Sequence, residues 1–130
     1  MEHREFEIKL MKMLLSGEDE VLAKLRKQYE VARVVSREIT DAGFFTSFSV
    51  DNRSDLCIMN KSFYIGDVDG NVDGIKGAVG FMLFVRNGYI TLLEGYTNVI
   101  DAWPKSYDKI VLNYDSGETR DISSLRAKLV

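Results

Sequence analysis

The chain of 130 residues sets 17 lysines and arginines against 20 aspartates and glutamates, a formal charge of −3, with 45% hydrophobic and 28% charged residues. These values suit one globular domain over 1–130 and exclude disorder as the main state. A mildly acidic chain also lacks the concentrated basic surface that nucleic acid or an anionic membrane requires. The single cysteine, Cys57, excludes an intrachain disulfide framework and fits a reducing compartment, so a cytoplasmic protein is expected.

At the N-terminus Glu2, Arg4, Glu5, Glu7, Lys9 and Lys12 interrupt every apolar run, so no signal peptide is expected, and no segment approaches transmembrane length. Phe6, Leu10, Met13 and Leu14 recur at helical spacing, with Ile8, Met11 and Leu15 widening the stripe; this predicts a helix over 4–15, stopped near Gly17. Ser16 and Asp19 form an S-x-x-D capping pattern for a second helix from about 18 to 29, with Val21, Leu22, Leu25 and Tyr29 on one face. From Val31 the period moves toward two. A strand is expected over 31–40, a turn at Asp41-Ala42-Gly43, and a strand over 44–50 with Phe44, Phe48 and Val50 on one side. Residues 51–62 read as a loop, and 63–72 as a strand weakened or bulged by Gly66 and Gly70, with Gly74 just beyond.

Asn87-Gly88, between two apolar segments, declares a hairpin, because both residues tolerate the positive φ of a type I′ turn. Counting outward pairs Arg86 with Tyr89, Val85 with Ile90, Phe84 with Thr91, Leu83 with Leu92, Met82 with Leu93 and Phe81 with Glu94. One face then carries Phe81, Leu83, Val85, Ile90 and Leu92 with Glu94 at its far end, and is the expected core face. The other carries Met82, Phe84, Arg86, Tyr89, Thr91 and Leu93, too apolar for a merely solvated face; it is either covered by the chain or presented to a partner. A loop holding Trp103-Pro104 follows, then a strand over 109–114. A final helix is capped by Asp121, with Ile122, Leu125 and Leu129 inward. Helices, then about six strands at hairpin spacing, then a helix indicate an α+β fold. Its antiparallel sheet is expected to have the two N-terminal helices and the C-terminal helix on one face.

No stretch assembles a catalytic, metal-binding or phosphate-binding pattern, so no catalytic residue, metal or cofactor is expected. In the run Asp67 to Gly74, a calcium loop started at Asp69 reaches Gly80 where a bidentate Glu is required; started at Asp67, it puts Val72 where the glycine belongs. The lone His3 sits near the terminus, and Cys57 between Leu56 and Ile58 has no signalled base. Glu94 could act as an acid or base with Asp67, Asp69, Asp73 or Asp101, or simply end a strand. The residue types enriched at protein interfaces concentrate at Phe84, Arg86, Tyr89, Tyr96, Trp103 and Tyr107. The expected binding surface is therefore Phe84, Arg86, Tyr89, Glu94, Tyr96 and Trp103, serving a protein partner or a second copy of the chain.

Ser36-Arg37-Glu38-Ile39-Thr40 leading to Gly43-Phe44-Phe45-Thr46-Ser47-Phe48, with Gly80-Phe81-Met82-Leu83-Phe84-Val85 and Leu93-Glu94-Gly95-Tyr96-Thr97, resembles a group of small, mostly uncharacterised bacterial proteins. Proteins of this size and build include immunity proteins that neutralise toxins. The resemblance implies a binding role, with a toxin or other protein as partner, and brings no catalytic residues. At Asn98-Val99-Ile100 this chain is more apolar than the short acidic turn of that pattern.

Overall fold

The computed structural model describes residues 1–51, 53–59, 61–72, 77–97 and 102–129. Asp73, Gly74, Asn98, Val99, Ile100 and Asp101, which enter the sequence reading, lie outside the described residues. In chain order the elements are α1 (His3–Leu14), α2 (Glu20–Val31), β1 (Arg33–Ile39), β2 (Gly43–Ser49), β3 (Phe63–Ile65), β4 (Val68–Val72), β5 (Val79–Arg86), β6 (Tyr89–Tyr96), β7 (Ile110–Tyr114) and α3 (Ile122–Leu129). Short 3₁₀ turns occupy Ser54–Leu56 and Tyr107–Lys109.

The two N-terminal helices form where the apolar period places them. On α1, Phe6, Leu10, Met11 and Leu14 are buried, whereas Ile8 is 52% exposed and the carboxylate of Glu7 is drawn inward instead. The chain reverses at Gly17, whose φ of +133° favours glycine. The cap of α2 is Asp19 alone: its side chain accepts the N–H groups of Val21 at 2.9 Å and Leu22 at 3.3 Å, so the helix starts at Glu20. Leu22, Leu25 and Gln28 point inward from it.

The fold is α+β, with an antiparallel sheet of seven strands where about six were expected. The order is β1-β2-β6-β5-β4-β7, and β3 lies beside β5. The added strand arises because 63–72 divides at Gly66-Asp67. β3 pairs one end of β5 (Phe63 with Val85), while β4 pairs the other (Asp69 with Gly80) and pairs along its length with β7. Helix residues Phe6, Leu10, Met11, Leu14, Leu22, Leu25, Leu125 and Leu129 share one core with sheet residues Phe44, Phe48, Ile65, Val68, Val79, Phe81, Leu83, Val85, Ile90 and Leu93. All three helices thus cover the same sheet face. Among the described residues no helix is long and apolar enough to cross a membrane.

The hairpin register follows the turn for two pairs only. Arg86 faces Tyr89 and Val85 faces Ile90, but the register then shifts, so that Phe84 faces Leu92, Leu83 faces Leu93, Met82 faces Glu94 and Phe81 faces Gly95. An extra residue in β6, at Thr91-Leu92, is a β-bulge that reverses the alternation beyond it. Leu93 is consequently buried, and Glu94 and Leu92 go to the opposite face from the one expected.

Candidate functional site

The pleat puts paired residues on one face in rows, and the face turned away from the helices can be read row by row. At the hairpin end lie Arg86 and Tyr89. Next come Tyr64, Phe84, Leu92 and Ser47, then Met82, Glu94 and Phe45, then Asn113, Asp69, Gly80 and Tyr96. The face is apolar and open: Tyr64 is 48%, Tyr96 42% and Phe45 38% exposed. Tyr64 and Phe84 are packed with ring centroids 6.2 Å apart, and the Arg86 guanidinium lies 5.5 Å from the Phe84 centroid. The latter is cation–π geometry that fixes the Phe84 ring and keeps the charge at the hairpin end.

Glycine shapes the far end. A Cβ on Gly80 would run into the Tyr96 ring, so the ring lies down across β5 toward Asp69. Burial raises the Tyr96 pKa first, and the negative charges of Asp69, Glu94 and Asp115 raise it further. Asp69 itself is pushed up to about 6, by burial and then by a hydrogen bond and repulsion from Asp115. Asp67, two residues earlier, leaves this face for a bidentate pair with Arg120, 2.8 Å on each oxygen. Asp67 and Asp69 therefore do not converge on a common cation, and among the described residues no three His, Cys, Asp or Glu side chains are grouped to hold a metal ion. A cavity of about 270 Å³ beside Asp67 is lined by Gly66, Asp115, Ser116, Asp121, Ser124 and Lys128, away from Glu94.

Of the residues expected to bind, Phe84, Arg86, Tyr89, Glu94 and Tyr96 share this face. Trp103 does not join them. It is 6% exposed, with its ring against Phe44 and Phe81 at 5.5 and 6.2 Å and its indole N–H donating to the Tyr107 hydroxyl at 3.3 Å. A cleft of about 340 Å³ lined by Ile39, Thr40, Asp41, Pro104, Lys105 and Tyr107 opens beside it.

A second polar cluster lies beneath α1. Glu7, 1% exposed, accepts a bidentate pair from Arg37 at 2.8 and 3.1 Å and the Thr46 hydroxyl at 2.6 Å. His3 Nε2 stands 3.3 Å from the same carboxylate, off hydrogen-bonding angle, and its Nδ1 lies 2.5 Å from the Tyr107 hydroxyl. Burial alone would raise the Glu7 pKa; the contacts of His3, Arg37 and Thr46 outweigh it and hold it down to about 2. A carboxylate so fully engaged is a fixed anion joining α1 to β1 and β2, with little capacity left to accept a proton. Sequence reasoning passed over Glu7 and Tyr64. Glu7 falls on the apolar side of α1 beside Leu10 and Leu14, which was its one available signal.

The chain gives no match to any family model, to any curated protein or to any solved structure.

Proposed function

We propose that this chain is a non-catalytic protein-docking module, of bacterial immunity or accessory type and working in the cytoplasm. Its binding surface is the uncovered face of the sheet: Tyr64, Phe84, Arg86, Tyr89, Leu92, Glu94 and Tyr96. The observation that carries this reading is the one-sided placement of the helices. All three pack on the Phe81 and Leu93 side, and the other side keeps a contiguous aromatic and aliphatic strip where a solvated face would be polar. Aromatic side chains with an arginine are the residue types that contribute most to protein interfaces.

The test is affinity capture from the cell of origin with the wild-type chain and with Phe84→Asp. Phe84 is only half-buried, so the variant keeps its fold, verified by circular dichroism, and is expected to lose the captured protein. Equal capture by the two chains would overturn the reading.

A further inference from the structure

The open face has a sense of direction along its strands. Its centre is the apolar row of Tyr64, Phe84 and Leu92. Two residues along β5 toward the turn stands Arg86; two residues the other way stands Met82, paired with Glu94, and beyond it Asp69 and Tyr96. Each step of two residues is about 7 Å, so charges of opposite sign flank the apolar centre at matched distances. Among the described residues Arg86, Glu94, Asp69 and Asp115 belong to no ion pair, whereas Asp19, Asp51, Asp55, Asp67 and Asp108 each have a cationic partner.

We propose that the occupant of this face is a second copy of the chain, packed face to face about a two-fold axis that crosses the strands at Phe84. This inference rests on the docking reading and names its partner. The axis sets Phe84 of one copy on Phe84 of the other. It brings Arg86 of each copy to the Met82–Glu94 row of its mate, so the apolar strip is covered and two charge pairs close at once. A two-fold axis running along the strands would set Arg86 on Arg86 and Glu94 on Glu94 and is disfavoured by that repulsion. The interface is self-complementary, as an isologous contact must be, and the two sheets form a sandwich of the usual aligned kind.

Sedimentation of the full chain to high micromolar concentration tests this with Arg86→Glu, Glu94→Lys and their equimolar mixture. The wild-type chain is expected to be a dimer. Each single reversal puts like charges at both contacts and is expected to weaken dimerisation about tenfold or more. The mixture restores an opposite pair at both contacts and is expected to dimerise as the wild type does. Wild-type sedimentation can overturn the proposal even where a variant fails to fold. A wild-type chain that stays monomeric, or single reversals that dimerise undiminished, would overturn the proposal. A monomer that still captures a different protein through Phe84 overturns self-pairing and leaves the docking reading intact. A monomer whose capture is indifferent to Phe84→Asp removes both.

Discussion

The side-chain oxygen of Gln28 accepts the backbone N–H of Ile90 at 2.9 Å, so a helix side chain closes the sheet ladder at the root of the hairpin. β2 pairs with β6 only as far as Leu92, and the Ile90 donor has no strand beyond it to meet. The Gln28 amide nitrogen donates to the carbonyls of Leu56 at 2.6 Å and Gly88 at 2.8 Å, tying the hairpin turn and the loop before β3 to α2.

Because Gln28 is fully buried, Gln28→Leu removes three hydrogen bonds while leaving their backbone partners without water. A loss of about 3 kcal/mol in urea unfolding is expected, with faster amide exchange at Ile90.

Glu7 sets the acid limit of the fold. Its folded pKa of about 2 lies below its ordinary value of 4.5, so its contribution is full above pH 4.5 and is lost as pH falls toward 2. That contribution is of order 3 kcal/mol. Glu7→Gln is expected to flatten the stability profile between these limits and to lower stability at neutral pH, measured by thermal unfolding across pH.

Asp69 acts in the opposite sense. Its folded pKa of about 6 exceeds the ordinary 3.8, so the native state holds a proton that the unfolded chain gives up, and stability declines as pH rises from about 4 to about 6. Asp69→Asn is expected to abolish that decline and stabilise the chain at pH 7 by about 1 kcal/mol, after allowance for solvent screening.

Two glycines of the same strand pair make a paired test of the two faces. A Cβ at Gly95 meets the Phe44 ring, with Trp103 behind it, inside the core, and Gly95→Ala is expected to cost about 2 kcal/mol. A Cβ at Gly80 meets Tyr96, which is 42% exposed and free to swing outward. Gly80→Ala is therefore expected to cost less than about 1 kcal/mol while changing the tyrosine fluorescence. Equal losses would show that the Tyr96 ring is held from both sides.

The α+β class, the turn at Asn87-Gly88 and most of the inward faces of the helices were legible because each rests on local spacing, with Ile8, expected on the stripe of α1, the exception. The register of β6 was legible only to Ile90. Leu92 and Leu93 are both apolar, so alternation suits either phase, and the bulge just before them is decided by packing rather than by the residues themselves. Trp103 reads equally as a surface anchor or a core residue until Phe44 and Phe81 are seen to enclose it. His3 and Glu7 were beyond reach for a different reason: their partners Tyr107, Arg37 and Thr46 lie 30 to 104 residues away.

The bulge at Thr91-Leu92 links residues that never touch. Upstream of it odd and even positions of β6 have one meaning, and downstream the opposite one, so deleting Thr91 would restore a regular ladder with Leu93 still inward, whereas flattening the bulge at full length would turn Leu93 outward and drive the Glu94 carboxylate into the core. In descent, the bulge at 91 and the polarity of position 94 can change only together while the strand keeps its length. Relatives one residue shorter at this point should keep a polar side chain at the position of Glu94, and relatives of equal length without the bulge should carry an apolar one there.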